Sequence, residues 1–210
     1  MKSIYCILAM GMIAVPAAFA GPTVIDYVTP FTSSNGVSAN GVYQVGQTIT
    51  VPTGVSELDS FSLVFYDALG VALDGVVENW NGSAAGSTLF TGGPVASPGS
   101  TQVLGGYFAF TYNTAIAVTP GTQLFLGLVA DGGGTFGGNV AWFGYPGNLY
   151  SGGNLLFNTG GGLSSVFGVG EDMAFSASFD TVTPDAPEPG SIGLMVAGAL
   201  AMAFGRRRIR

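Results

Sequence analysis

The residues that come nearest to a catalytic set are Glu57 and Asp59, two carboxylates in the segment ELDSFS. Side chains at positions i and i+2 of a β-strand point to the same face, so these two would lie side by side. Two carboxylates are sufficient for glycoside hydrolysis, in which one acts as an acid and the other as a base or nucleophile. The pair therefore raises the hypothesis of a secreted glycosidase. The alternative is an acidic strand end without a catalytic role.

Composition excludes most other catalytic arrangements. The chain has no histidine, its one cysteine is Cys6, and its one lysine is Lys2. Histidine-dependent triads, ordinary zinc sites and lysine Schiff bases therefore have no residues to use in the body of the chain. ELDSFS superficially resembles the E-x-D-x-x-E signature of laminarinase-like β-glucanases, but Ser62 stands where the second catalytic carboxylate belongs. We therefore predict that the protein is not an enzyme.

Cation binding is another use to which the acids could be put. Ca²⁺ prefers hard oxygen ligands, and carboxylates at one edge of a β-fold can supply them. No spacing like that of an EF-hand is present, so solvated loop acids are the alternative. Apart from this structural calcium, the sequence predicts no cofactor. The candidate ligands are Asp26, Asp131, Glu171, Asp172 and Asp180.

The charges are divided unevenly along the chain. The five basic residues are Lys2, Arg206, Arg207, Arg208 and Arg210, so all of them lie near one end or the other. The segment from Gly21 to Pro189 holds all 12 acids and no base, which gives it a formal charge of −12. Binding to nucleic acid requires Lys or Arg to neutralise phosphates. Nucleic acid is therefore excluded as a partner, and the body of the chain has no internal salt bridges.

The body of the chain alternates apolar and polar residues between turns rich in glycine, proline and asparagine. This period of two is typical of strands with one buried face. It marks QTITV, FSLVFY, YFAFTY, QLFLGLVA, VAWFGY and MAFSASFDT, and no helical periodicity of useful length precedes residue 190. The glycine tracts DGGGTFGGN and NTGGGLSSVFG lack the lysine of a phosphate-binding loop, so we interpret them as connections between strands. The sequence predicts one all-β domain over residues 21–183, an antiparallel, jelly-roll-like sandwich.

The N-terminus has the layout of a secretory signal peptide. Lys2 precedes an apolar run that ends in PAAFA, where Ala18 and Ala20 occupy the A-x-A positions before Gly21. We expect residues 1–20 to be removed after Ala20. Because Cys6 is removed with them, the mature protein has no thiol and its stability must come from packing rather than from disulfides.

The segment 184–210 has three parts. PDAPEPG is too rich in proline to be helical, so it is expected to be an extended spacer. The uncharged apolar run Ser191–Gly205 would reach about 22 Å as a helix, short for a bilayer unless flanking residues compensate. Arg206, Arg207, Arg208 and Arg210 would then stop transfer and stay in the cytoplasm.

This ending resembles the PEP-CTERM sorting signal of Gram-negative bacteria. The resemblance rests on Pro187, Glu188 and Pro189, followed by the apolar span and the arginine cluster. It implies recognition and processing by an exosortase, a membrane transpeptidase-like enzyme. It also implies transient anchoring in the inner membrane, followed by export to the cell surface or to an extracellular polysaccharide matrix. A plain membrane anchor is the alternative.

A second resemblance covers the stretch from Val45 to Asp131. GQTITVPTGVSELDSFSLVFYDALG, the loop WNGSAAG and the strand start around VTPGTQ are similar to a jelly-roll domain of bacterial secreted proteins. The architecture of such domains is similar to that of carbohydrate-binding modules, which implies glycan binding without identifying ligand residues. Trp80, Trp142 and Tyr145 could stack on sugar rings if they are exposed, although large aromatics more often belong to the core.

Three functions follow from these observations. The first is a non-catalytic, exported protein of the cell surface or extracellular matrix, sorted by an exosortase. The second is a carbohydrate-binding module of the exopolysaccharide matrix. The third is a secreted glycosidase that uses Glu57 and Asp59.

Overall fold

The computed structural model describes residues 21–28, 35–38, 40–67, 72–96, 101–104, 107–137, 140–145, 149–165 and 171–181. The chain divides into two units, one spanning Gly21–Val182 and the other made of Met1–Ala20 and Thr183–Arg210. The second unit lies outside the described residues, and so do the predicted cleavage positions Ala18 and Ala20, the sorting motif and the arginine cluster. Among the described residues, no helix is long and apolar enough to cross a membrane.

Strands dominate the described residues, in which the one helical element is a 3-10 turn at Asp131–Gly133. Every strand pairing described is antiparallel. In chain order the strands are β1 (Thr23–Asp26), β2 (Asn35–Ser38), β3 (Gln44–Thr50), β4 (Glu57–Asp67), β5 (Ala72–Trp80), β6 (Ala85–Thr91), β7 (Val95–Ala96), β8 (Thr101–Leu104), β9 (Tyr107–Ala117), β10 (Gln123–Ala130), β11 (Val140–Tyr145), β12 (Leu155–Asn158), β13 (Leu163–Ser164), β14 (Asp172–Met173) and β15 (Phe175–Asp180).

The strands form two sheets. In the first sheet, β8, β9, β4, β15 and β1 are neighbours in that order. The long strand β4 pairs with β15 along its first part and with β11 along its last residues, and β11 in turn pairs with β2 and β14. The second sheet has the order β13-β12-β3-β10-β5-β6, and β7 pairs with the start of β5.

A single large core lies between the two sheets. The first sheet contributes the fully buried rings of Phe61, Phe110 and Phe175, and the second contributes Ile49 and Leu126. Along β15, buried Phe175, Ala177 and Phe179 alternate with less buried residues, as the sequence pattern predicted. The prediction of an all-β, two-sheet protein is therefore confirmed, because period-two alternation puts one face of each strand in the core.

Tyr112 links the two sheets. It lies on β9 of the first sheet, and its hydroxyl donates a hydrogen bond of 2.5 Å to the carbonyl oxygen of Leu73 on β5 of the second. Its ring occupies the space above Gly75, where an added Cβ would lie 2.5 Å from the Cγ atom of Tyr112. Burial and then the Asp74 carboxylate raise the pKa of the Tyr112 hydroxyl, so it stays protonated and able to donate.

Candidate binding site

The predicted catalytic pair lies at the start of β4. Leu58 between the two acids is fully buried, whereas Glu57 is half-buried and Asp59 is exposed, so both acids point away from the core. The strand register places Asp180 of β15 opposite Glu57. Neither Glu57 nor Asp59 lines the two cavities that the structure presents on the second sheet.

The candidate calcium ligands lie on different elements. Asp26 ends β1, and its Oδ1 accepts a hydrogen bond of 2.8 Å from the backbone N–H of Val28. Asp131 begins the 3-10 turn after β10, and Asp180 ends β15. Within the described ranges, no three side chains of Asp, Glu, His or Cys are grouped so that they could hold a metal ion. The calcium hypothesis gains no support from these positions.

We expect the melting temperature of the exported protein to rise with NaCl, because the region from Gly21 to Pro189 carries 12 acids and no base and repels itself. Since the described acids form no cluster, CaCl₂ and MgCl₂ at matched ionic strength should raise it equally. Differential scanning calorimetry measures both effects. A higher melting temperature in CaCl₂ than in MgCl₂ would indicate a dedicated calcium site. A melting temperature that does not change with NaCl would mean that local hydrogen bonds compensate the acids.

Asp172 accepts hydrogen bonds on both of its carboxylate oxygens. It is fully buried, and its Oδ1 accepts a hydrogen bond of 2.9 Å from the side-chain amide of Gln47. Its Oδ2 accepts a hydrogen bond of 2.6 Å from the backbone N–H of Tyr150. Gln47 also binds the backbone of β14, since its Oε1 accepts a hydrogen bond of 2.8 Å from the backbone N–H of Met173. Since β14 belongs to the first sheet and β3 to the second, this network ties the sheets together.

The environment of Asp172 disfavours its charged form. Burial raises the pKa of the carboxyl, and hydrogen bonds from Tyr150, Gln47 and Leu149 lower it in part, with a net rise above 3.8. No cation is available in this region of the sequence to offset the charge. The role that this arrangement supports is structural, because both carboxylate oxygens are already occupied by protein donors.

Two cavities among the described residues lie on the outer face of the second sheet. A cavity of about 320 Å³ is lined by Trp80 at the end of β5, by Asn154 just before β12 and by Leu163 on β13. A second cavity of about 400 Å³ is lined by Gln44, Glu78 and Asn158. Ser83 and Leu163 line both cavities, so the two adjoin. We call these two adjoining cavities the outer groove.

A small apolar cluster separate from the main core lies beside the outer groove, and its Leu156 lines the first cavity. Val76, Phe125 and Leu156 are buried there, and Trp80 and Leu163 pack against them while remaining partly exposed. Strand β10 therefore has both faces covered, its inner one by the main core and its outer one by this cluster. The result is a groove with apolar and aromatic side chains along its first cavity.

Asparagine side chains shape both walls of the outer groove. On the β5–β6 side, the Oδ1 atom of Asn81 accepts hydrogen bonds from the backbone N–H groups of Ser83 and Ala84, at 2.9 and 2.8 Å. On the β12–β13 side, the Oδ1 atom of Asn158 accepts hydrogen bonds from Gly160 and Gly162, at 2.8 and 3.2 Å. Such bonds from a side chain to its own turn hold the loop in one conformation. Both walls are therefore formed before any ligand arrives.

The segment that presents Asn154 is held tightly on β3. The hydroxyl of Thr48 accepts a hydrogen bond of 2.7 Å from the Asn154 backbone N–H, and the Thr48 backbone N–H donates one of 2.9 Å to the Asn154 carbonyl. Gly153 permits this approach, because a Cβ there would lie 1.7 Å from the carbonyl oxygen of Thr48. Only glycine fits without moving the segment away from the strand.

We expect Gly153→Ala to lower the free energy of unfolding by about 1–3 kcal/mol, because the new methyl group must push backbone away from backbone. Gly134→Ala is the matched control, since Gly134 has φ −83° and no atom within 4 Å of an added Cβ. That control should stay within about 0.5 kcal/mol of the wild type. Urea denaturation measures both, and equal losses would contradict the close contact at Gly153.

The structure brings one of the three predicted sugar-stacking residues into a site. Trp80 lines the outer groove, whereas the side chains of Trp142 and Tyr145 on β11 lie outside what the structure describes. Asn154 and Leu163 were not singled out from the sequence. Their part in the groove depends on the pairing of β12 with β3 and with β13. The sequence of one strand does not reveal which strands it pairs with.

Comparison with known proteins identifies no family. No protein-family model matches the chain, and no curated protein matches it. A solved structure described as "Structure of infectious bursal disease virus Gx strain" is 14% identical with a TM-score of 0.25, covering 85% of this chain and 36% of that one. "Crystal structure of infectious bursal disease virus VP2 subviral particle" is 17% identical with a TM-score of 0.25, covering 99% and 54%. The chain thus spans 36% and 54% of those chains, and similarity this low supports no argument about function.

Proposed function

We propose that this is a non-catalytic protein exported to the cell surface or extracellular matrix of a Gram-negative bacterium and sorted by an exosortase. The observation that carries the proposal is the ordered set of Pro187, Glu188 and Pro189, an uncharged apolar run and an arginine cluster, in a chain that begins with a signal-peptide pattern. On this proposal the apolar run is a transmembrane sorting helix, which anchors the protein in the inner membrane until it is processed.

The body of the chain is compatible with this role. It is a two-sheet β domain, and within the described residues no three His, Cys, Asp or Glu side chains are grouped so that they could hold a metal ion. We also infer that the two sheets are connected as a jelly-roll, on the basis of the resemblance carried by Val45–Asp131. The strand β10 begins at Gln123, directly after the Thr119–Thr122 turn on which part of that resemblance rests.

The proposal is tested by mass spectrometry of both termini of the protein from fractionated cells that carry an exosortase. We expect a mature N-terminus at Gly21 and a C-terminus that has lost Arg206 to Arg210. Replacing Pro187, Glu188 and Pro189 together by alanine should leave a full-length tail in the membrane fraction. Pro184→Ala changes a proline of the same spacer outside the motif and should be processed normally.

Two results would contradict the proposal. If the wild-type protein keeps its arginine cluster after export, the tail is a plain anchor and no sorting takes place. If Met1 is still present on protein found in the envelope, the first 20 residues are not a cleaved signal peptide.

A further inference from the structure

Two polar groups on the walls of the outer groove have no hydrogen bond to any described residue. They are the indole N–H of Trp80 and the side-chain amide of Asn154, whose backbone alone is bound to Thr48. By contrast, the side chains that shape the loops, Asn81 and Asn158, have their oxygens occupied within their own turns. The groove therefore presents side-chain donors and an acceptor that make no hydrogen bond within the described residues, on a backbone that is held in place at Asn154.

These groups lie beside apolar surface. Trp80 and Leu163 both pack against the buried cluster of Val76, Phe125 and Leu156. Trp80, Leu156 and Leu163 all line the first cavity. A sugar ring has apolar C–H faces and a rim of hydroxyl groups, so it needs both an aromatic surface and fixed hydrogen-bonding groups around it. An indole combines a flat apolar ring with a polar N–H, so it can contact the apolar face of a sugar and also hydrogen-bond a hydroxyl group at its rim. A concave apolar pocket with a few converging polar groups is the usual form of a small-ligand site.

Charge narrows the class of ligand. The carboxylate of Glu78, in the second cavity, accepts hydrogen bonds from the Gln44 amide at 3.0 Å and the Thr88 hydroxyl at 3.4 Å. The region from Gly21 to Pro189 contains no Lys, Arg or His to pair with an acidic sugar. A uronate or sulfate would therefore meet repulsion from Glu78 and from the whole domain, with no compensating contact.

From this geometry we propose that the outer groove binds an uncharged carbohydrate chain. Trp80 stacks on the face of one sugar ring, and the Asn154 amide hydrogen-bonds its hydroxyl groups. The two adjoining cavities offer room for more than one sugar unit. This assigns a ligand class to the exported domain, and it depends neither on the route of export nor on the processing of the tail.

The test is isothermal titration calorimetry of the protein as recovered after export against defined hexasaccharides. The uncharged probes are β-1,4-linked hexamers of glucose, mannose and N-acetylglucosamine, and the charged probe is an α-1,4-galacturonate hexamer. We expect binding of at least one uncharged hexamer and none of the galacturonate. Trp80→Ala should weaken that binding about tenfold or more, and Asn154→Ala about threefold to tenfold.

Matched variants separate a role in the site from a loss of folding. Asn113→Ala removes an exposed amide from β9 of the first sheet and should leave binding unchanged. Trp80→Phe keeps an aromatic ring without the N–H and should retain part of the affinity. Failure of all three uncharged hexamers to bind, tighter binding of the galacturonate, or full binding by both Trp80→Ala and Asn154→Ala would each overturn the proposal. Fractionation tests export separately, so the two proposals can fail independently.

Discussion

Replacing Tyr112 by alanine should lower the free energy of unfolding by about 3–5 kcal/mol, which is a large part of the stability of an ordinary domain. The substitution removes a buried ring that stacks on Phe61 with the ring centroids 5.3 Å apart. It also leaves the Leu73 carbonyl without the hydroxyl that joins the two sheets. Gly75 has no side chain with which to fill the cavity that the lost ring leaves.

Three comparisons make this prediction specific. Tyr112→Phe should cost about 0.5–1.5 kcal/mol, since it removes the hydrogen bond to the Leu73 carbonyl but keeps the packing. Tyr43→Ala is the matched tyrosine control, because Tyr43 is 45% exposed, and it should cost less than about 1 kcal/mol. Gly75→Ala should be costly in the wild type and much less so in the Tyr112→Ala background, since the clash is with that ring. Chemical denaturation of the wild type, Tyr112→Ala, Gly75→Ala and the double variant gives the coupling energy, and additive losses would contradict the contact.

The strands that were predicted from the sequence are those whose alternation is unbroken. Residues Phe61, Leu63 and Phe65 share one face in the segment FSLVFY, and all three are fully buried in β4. Strand β5 was not predicted from its own pattern, because Gly75 occupies a core-facing position between Leu73 and Val77. A glycine there weakens the alternation of apolar and polar residues that marks a strand. The ring of Tyr112 on β9 requires the glycine, and Tyr112 is too far along the chain to be seen in the pattern of β5.

The candidate site was only partly predictable for the same reason. Trp80 was singled out because its residue type suits sugar stacking, whatever its surroundings. Asn154 and the loops on either side of it form a site only after β12 has paired with β3. The sequence also offered Asp172 as a metal ligand, but the structure buries it against Gln47, 125 residues earlier in the chain. Contacts across such separations are set by the fold, and they decide which polar residues are available to a ligand.

The buried carboxylate of Asp172 leads to the second large expected effect. Asp172→Ala should lower the free energy of unfolding by about 3–5 kcal/mol, because it removes the acceptor for several buried donors at once. These donors are the Gln47 amide and the backbone N–H groups of Tyr150 and Leu149. Asp172→Asn should cost less, since one acceptor oxygen remains. Asp180 is exposed, so Asp180→Ala and Asp180→Asn serve as controls and should change the free energy of unfolding little.

Ionisation of Asp172 should also make stability depend on pH in a definite direction. Its pKa is raised in the folded state above 3.8, so the folded protein binds this proton more tightly than the unfolded chain does. The contribution is therefore fully present below pH 3.8 and is lost as the pH rises through the folded pKa. Between these two pH values, the uptake of one proton changes the free energy of unfolding by at most about 1.4 kcal/mol per pH unit.

We expect the wild type to become more stable on mild acidification from neutral pH, and Asp172→Asn to lose part of that gain. Relief of the repulsion among the other acids should remain in the variant, because it does not depend on this position. Denaturation curves of the wild type, Asp172→Asn and Asp180→Asn across the acidic range measure the difference. If Asp172→Asn follows the wild type over the whole range, the carboxyl at Asp172 does not change its protonation on folding. A wild type that loses more stability than Asp172→Asn on acidification would mean that the hydrogen bonds of this carboxyl outweigh its burial, since a lowered folded pKa reverses the sign.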